Sequence, residues 1–236
     1  MFPTFFLPAP SAAIDPSMIM LLLHFEETWT DGTSTYVVDS SSYAADVYIT
    51  NGSLTTAQQK FGNKSWTAVG NYANVRPKNY ASGQWRVDNR DWCMEGWFRH
   101  PSGDFGAGMF FTIGHPSFVD RMICSFESGN NVYVRQWQAS SPAWVLAGTF
   151  PVDTWFHFAV VRYSGKVKMY INGVLQQETA ADAFVCAQES PQLEIVGNIG
   201  NLWDYPSGYI DEVRIVMGDA VYYGEFDPPT AAFPDP

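Results

Sequence analysis

Gly208-Tyr-Ile-Asp-Glu-Val-Arg-Ile-Val-Met217 is the stretch that decides the fold. It alternates apolar and polar residues, the period of a strand with one face buried. It lies so close to the C-terminus that its pairing partners must come from far upstream, which implies a closed, antiparallel, non-local β fold. The strand runs into an aromatic extension, Ala220-Val-Tyr-Tyr-Gly-Glu-Phe-Asp-Pro-Pro-Thr230, and a proline-rich stop at Phe233-Pro234.

Upstream, Trp155-Phe-His-Phe-Ala-Val-Val-Arg-Tyr163 and Lys166-Val-Lys-Met-Tyr-Ile171 flank Ser164-Gly165, and Asn172-Gly173 reverses the chain into Val174-Leu-Gln-Gln177. Asn-Gly supplies the positive φ that a type I′ turn needs at both central positions, so this region reads as a β-meander. In 92–99, Cys93, Glu95, Trp97 and Arg99 fall on one face and Trp92, Met94 and Phe98 on the other. Bulk on both faces predicts a central strand covered on both sides. The run 18–25 is nearly continuously apolar and predicts a core-lining strand. Further strands are expected at 36–39, after Phe61, and at 72–75, 109–113, 122–127, 132–138, 144–148 and 193–197, with turns at 30–33 and at Asn51-Gly52. No internal repeat or linker divides the chain. The organisation is an arm over 1–17, one domain over 18–217, and an extension over 218–236 that packs on the domain.

Composition agrees. The chain of 236 residues is 46% hydrophobic and 16% aromatic, enough for one β domain with a substantial core, and its 19 Gly and 15 Pro supply turns. Net charge is −11, and no Lys or Arg precedes Lys60. Clustered cations are what phosphate neutralisation requires, so nucleic acid and anionic membrane surfaces are excluded as partners. No apolar run reaches the ~20 residues of a membrane span. Cys93, Cys124 and Cys186 are too few and too widely spaced for a disulfide framework or zinc site, and suit a reducing cytoplasm. The N-terminus, Met1-Phe-Pro-Thr-Phe-Phe-Leu-Pro-Ala-Pro10, lacks a basic n-region and is broken by proline, so it does not read as a signal peptide. Phe2, Phe5, Phe6 and Leu7 are costly to leave in water and read as an arm that docks on a partner.

Several landmarks resemble a laminin-G-like, concanavalin A-type lectin/glucanase domain. They are Leu21-Leu-Leu-His-Phe-Glu26 with Asp39-Ser40-Ser41, then Lys60-Phe61-Gly62-Asn63-Lys64-Ser65, then Met94-Glu95-Gly96-Trp97-Phe98-Arg99. Thr154-Trp-Phe-His-Phe-Ala-Val-Val-Arg162 with Met169-Tyr-Ile-Asn-Gly-Val174, and finally Gly208-Tyr-Ile-Asp-Glu-Val-Arg-Ile215, complete the set. They fall in family order, and it is their combination that is specific. The resemblance implies an all-β, two-sheet antiparallel jelly-roll sandwich, here with an extended N-terminal arm. The ending Ala220 to Pro234 resembles the subgroup found in bacteriophage virion proteins.

Some relatives with this fold are glycoside hydrolases, which carry Glu-x-Asp-x-x-Glu on one strand face. Only Glu225-Phe226-Asp227 begins that spacing, and Pro228-Pro229-Thr230 removes both the third acid and the strand. Asp211 and Glu212 are adjacent and on a regular strand point to opposite faces. His24, His100, His115 and His157 show no metal spacing, and no Gly-x-Ser-x-Gly elbow occurs. The expectation is a protein without enzymatic activity.

The resemblance points to a structural Ca²⁺ held by Asp211 with Glu26 or Glu27. The other reading is that Asp211 accepts backbone amides and holds a loop. For glycans, Trp203 and Tyr205, beside Asn201 and Asp204, combine stacking surface with hydrogen-bonding groups. Trp137 and Trp144 form a second candidate. Two functions follow. One is a bacteriophage virion structural protein, a capsid decoration or tail-fibre component assembled in the host cytoplasm. Its arm and proline-rich tail would anchor it to other virion proteins, and it would self-associate, with a trimer favoured. The other is a carbohydrate-binding adhesion module that recognises host or cell-surface glycans.

Overall fold

The computed structural model describes residues 13–68, 74–78, 85, 87, 89–102, 108–114, 121–138, 141–180, 192–196 and 208–236. Phe2, Phe5, Phe6 and Leu7 of the arm lie outside them. A 3-10 turn, Pro16–Met18, is capped by Asp15, whose carboxylate accepts the Ser17 N–H. The strands are β1 (Ile19–Leu23), β2 (Thr28–Thr30), β3 (Thr35–Val37), β4 (Val47–Thr50), β5 (Gly52–Thr55), β6 (Ser65–Ala68), β7 (Asn74–Pro77), β8 (Trp92–Arg99) and β9 (Gly108–Gly114). They continue as β10 (Arg121–Glu127), β11 (Asn131–Gln138), β12 (Ser141–Thr149), β13 (Phe156–Tyr163), β14 (Lys166–Ile171), β15 (Val174–Glu178), β16 (Gln192–Val196) and β17 (Tyr209–Met217).

They form two antiparallel sheets. The eight-stranded sheet runs β15-β14-β13-β8-β17-β6-β5, with β1 also on β17; the nine-stranded sheet runs β12-β11-β10-β9-β16-β7-β4-β3-β2. This is the two-sheet jelly-roll sandwich expected from the sequence. The core lies between the sheets, where Phe98, Phe156 and Phe158 meet Phe110 and Phe126. Phe110 stacks on Phe126 with centroids 4.1 Å apart, and Phe158 meets Phe110 edge-on at 4.8 Å. Such pairs each add roughly 0.5–1.5 kcal/mol beyond the area they bury.

The closing strand organises one sheet. One edge of β17 pairs with β8 along most of its length. The other edge is shared: Tyr209 and Ile210 pair with β6, and 213–216 pair with β1. A bulge interrupts it, because Asp211 faces Trp97 while Arg214 already faces Glu95, and Glu212 has φ 50°. Gly96 sits opposite the bulge, where an added Cβ would lie 3.1 Å from Val213. The extra residue resets the alternation, so Ile210, Val213, Ile215 and Met217 all face the core. The regular-strand expectation for Asp211 and Glu212 is therefore corrected: both carboxylates turn away from the space between the sheets.

The two hairpin turns form as read, with Ser164, Gly165, Asn172 and Gly173 all at positive φ and Tyr163 opposite Lys166. Asn51-Gly52 does something else. It links β4 of one sheet to β5 of the other, a crossing between layers rather than a hairpin. Gly52 is needed there because an added Cβ would overlap the fully buried Trp66 indole. Gly52→Ala is expected to lower the unfolding free energy by ~1–3 kcal/mol, the usual cost of overpacking a filled core. Urea unfolding checks this as a lower midpoint at unchanged slope.

Candidate functional site

The outer face of the eight-stranded sheet carries a charged network. Glu95 on β8 is fully buried. Its Oε1 accepts from Arg214 Nε at 2.9 Å and Nη2 at 2.5 Å; its Oε2 faces His157 Nε2 at 3.1 Å and accepts the Tyr222 hydroxyl at 2.7 Å. Both oxygens are thus doubly engaged. Burial works to raise the Glu95 pKa, but Arg214 above all, then His157 and Tyr222, outweigh it and hold the carboxyl down at about 2. His157 is itself fully buried, and among the described residues its Nδ1 has no hydrogen-bond partner.

The chain after β17 covers this network. Tyr222 stacks on Phe226 with centroids 3.5 Å apart, and Phe226 meets the rings of His157 and Tyr170. Phe226 N donates to Gly173 O at 3.1 Å, and Glu225 accepts from Leu175 N. At Gly173, which has φ 76°, a Cβ would overlap the Phe226 carbonyl. The tail then turns back. Phe233 lies over Arg214, 4.1 Å from guanidinium to ring centroid, and its N–H donates to Glu212 at 2.8 Å. A second apolar layer forms from Ile19, Leu22, Cys93, Ala159, Val161, Val216, Val221 and Phe233. The tail is thus a third layer of the sandwich, packed on its own domain.

His24 fastens the end of the tail. Its Nδ1 lies 2.9 and 3.0 Å from the two Glu212 oxygens, and its Nε2 lies 3.1 Å from Asp235 Oδ1. Carboxylates at both nitrogens require both to carry protons. The hydrogen bond to Glu212 above all lifts His24 from 6.5 to about 9, with Asp235 adding to it and burial opposing.

Three acids of the family landmarks act as amide acceptors. Asp39 takes the N–H groups of Leu22, Ser41 and Ala45. Glu26 Oε1 takes those of Asn63 and Lys64. Asp211 takes those of Lys60, Phe61 and Glu212 at 2.8, 3.1 and 2.9 Å. Burial raises Asp211 to about 7 even so, against the three donors. Glu26 and Asp211 therefore hold opposite ends of one loop. Ca²⁺ needs six to eight oxygens with lone pairs turned toward it. Here amide hydrogens occupy both Asp211 oxygens and Glu26 Oε1, so Asp211 holds a loop, and among the described residues no group of three or more His, Cys, Asp or Glu could hold a metal ion.

The outer face of the nine-stranded sheet is different in kind. Trp29, Tyr36, Tyr48 and Arg76 occupy directly paired positions on β2, β3, β4 and β7. Their neighbours Val37, Val47, Ile49 and Val75 face the core, so this row faces out. Trp29 stacks on Tyr36 with centroids 4.2 Å apart, Tyr36 tilts against Tyr48 at 6.3 Å, and Arg76 sits 5.5 Å over Tyr48. Tyr36 is buried and donates its hydroxyl to Asp31, whereas Trp29 remains 40% exposed. Arg76 continues the row to Glu194 on β16 at 3.6 Å. Burial raises the Glu194 carboxyl, and among the described residues its Oε2 has no hydrogen-bond partner.

Of the glycan residues expected from the sequence, Asn201, Trp203, Asp204 and Tyr205 lie outside the described residues. Trp144 packs against the core, while Trp137 is half-buried on β11. Cys93 and Cys124 are buried, and burial pushes both thiols up. The aromatic row and the Glu95 network were not singled out in the sequence. A signal existed for each: one central aromatic in each of Thr28-Trp-Thr30, Thr35-Tyr-Val37 and Val47-Tyr-Ile49, and one charged or ring-nitrogen residue inside each of three apolar strands.

A lectin-like jelly roll with one sealed outer face and one aromatic outer face is the class this geometry defines. The chain belongs to the concanavalin A-like lectin/glucanases superfamily, whose sequence model matches residues 50–218. No curated protein sequence matches it. Among solved structures, domain 4 of AbnA, a GH43 extracellular arabinanase from Geobacillus stearothermophilus solved with arabinotriose, is 18% identical. The match has a TM-score of 0.60 and covers 85% of this chain and 92% of that one. The receptor-binding domain of botulinum neurotoxin D is 15% identical with a TM-score of 0.58, over 86% of this chain and 50% of that one. A botulinum neurotoxin type C that depends on two ganglioside molecules to enter cells is 15% identical with a TM-score of 0.55, over 90% of this chain and 49% of that one. The chain spans about half the length of these toxin domains. At such identities the likeness is one of fold. No helix among the described residues is long and apolar enough to cross a membrane.

Arg214→Met leaves the buried Glu95 carboxylate without its main counter-charge and is expected to cost ~3–5 kcal/mol in urea unfolding. The His24 latch predicts a pH dependence. A folded value raised from 6.5 to about 9 stabilises the fold fully below 6.5, and the contribution is lost as pH rises through 9. The stability gap between the wild type and His24→Asn should therefore be wide at pH 6 and close by pH 10. A gap that is constant or widens with pH contradicts the latch. Among the described residues, Glu212 and Asp235 are the charged groups in contact with His24.

Proposed function

We propose that the chain is a non-enzymatic carbohydrate-binding module for adhesion to surface glycans, with the Trp29–Tyr36–Tyr48–Arg76 row as its ligand face. Of the two functions drawn from the sequence, this is the one the geometry supports better. The observation that carries it is the exposed Trp29 indole, held flat by Tyr36 at the head of an aromatic row that ends in a charged pair. Pyranose rings stack an apolar face on such a platform and direct hydroxyls to neighbouring polar groups. The arabinanase domain bound to arabinotriose and the ganglioside-dependent neurotoxin lend the reading support, as binders on a like fold. The absence of enzymatic activity belongs to the proposal, supported by the engagement of Glu95, Asp211 and Glu212 in internal hydrogen bonds.

A glycan array with the wild type and Trp29→Ala tests it. Binding should fall about tenfold or more, the scale of a lost stacking contact of ~1.5 kcal/mol. The urea midpoint should stay unchanged, since Trp29 lies on an exposed edge strand. An array without hits, or hits indifferent to Trp29→Ala, removes the reading.

The second reading, display on a bacteriophage particle, is supported by the resemblance of Ala220 to Pro234 to virion proteins and by the arm's three phenylalanines. With the tail occupied on its own domain, attachment falls to the arm. Deleting residues 1–15 should abolish incorporation into particles, and normal incorporation would refute it.

A further inference from the structure

The aromatic row carries a charge pattern of its own. Tyr36 donates to Asp31 and has Lys78 Nζ 5.5 Å over its ring, and Lys78 lies 3.9 Å from Asp46. Tyr48 has Arg76 over its ring, and Arg76 lies 3.6 Å from Glu194. Glu194 also interacts with Arg121, which is buried. Along the row, among the described residues, the cations Lys78, Arg76 and Arg121 are thus matched by the carboxylates of Asp31, Asp46 and Glu194.

This balance bears on the sign of the ligand. A site for an acid group presents cations in excess, typically an arginine fork turned to the ligand. Here no cation is in excess, and the chain as a whole carries −11. An approaching carboxylate or sulfate is repelled at long range and meets cations that are already paired. Two buried oxygens add to this. Glu194 Oε2 and Asn74 Oδ1 have no hydrogen-bond partner among the described residues. Both are acceptors, and they sit where water screens charge least. A hydroxyl group brings a donor toward such oxygens, whereas an ionised acid group brings only further acceptors.

We infer that the row takes uncharged glycans and discriminates against carboxylated or sulfated ones, with Glu194 and Asp46 setting this preference by cancelling Arg76 and Lys78. The inference rests on the adhesion reading and adds to it the chemical class of the ligand. Glu194 and Asp46 act through the cations and are positioning residues.

The test is a glycan array at low ionic strength and pH 8, which keeps the buried carboxyl ionised. Each neutral glycan is printed beside its carboxylated and sulfated derivatives. The full chain is compared with Trp29→Ala, Glu194→Gln and Asp46→Asn. Asp46 is an exposed side chain, so its variant decides the matter should Glu194→Gln fail to unfold cooperatively in urea. The wild type should bind neutral glycans in a Trp29-dependent way and their acidic derivatives about tenfold more weakly. In the charge variants that gap should narrow about threefold, the scale of a lost exposed counter-charge. Trp29-dependent binding in which acidic derivatives do as well as neutral ones overturns the inference and leaves the adhesion reading standing. A gap unchanged in every folded charge variant also overturns it. An array without Trp29-dependent hits removes the adhesion reading and this inference with it.

Discussion

The fold depends on one buried carboxylate. Glu95 lies fully inside the protein, and its four hydrogen-bonding positions are filled by Arg214 twice, His157 and Tyr222. An ionised carboxylate out of water is tolerated only when each lone pair finds a donor. Those donors come from β17, from β13 and from the tail. Elements from the middle and the end of the chain must therefore all be in place before Glu95 can be buried.

That requirement explains why the eight-stranded sheet is covered on both faces. Antiparallel sheets commonly leave one face to water. Here β1, β8, β13 and β17 are buried almost throughout, because the core covers one face and the tail the other. Tyr222, Phe226 and Phe233 exclude water from the network, and His24 with Glu212 and Asp235 holds the tail's end. On the opposite sheet, Trp29 and its row face outward.

Much of this was legible in the sequence, for local reasons. The strand at 209–217, the Asn172-Gly173 turn and the two bulky faces of 92–99 depend on neighbouring residues and appear in the structure, the first without its regular alternation. The bulge at Asp211-Glu212 was not legible, because an added residue is visible only once β17 is set against β8. The short strands β2, β4 and β5 were missed, since three or four residues carry too little periodicity. Asn51-Gly52 signals a turn but not which sheet follows it. The sites are long-range by nature. Glu95 and Tyr222 are far apart in sequence, as are Trp29 and Arg76, and only sheet pairing brings each set together.

The central claim is that residues 219–236 are a structural layer rather than an appendage. Urea unfolding of a chain ending at Gly218 tests it most directly. The account predicts that this chain loses its cooperative transition, or shifts its midpoint far down, because Glu95, His157 and Arg214 are opened to water. A truncated chain that unfolds cooperatively at the midpoint of the full-length protein would contradict it.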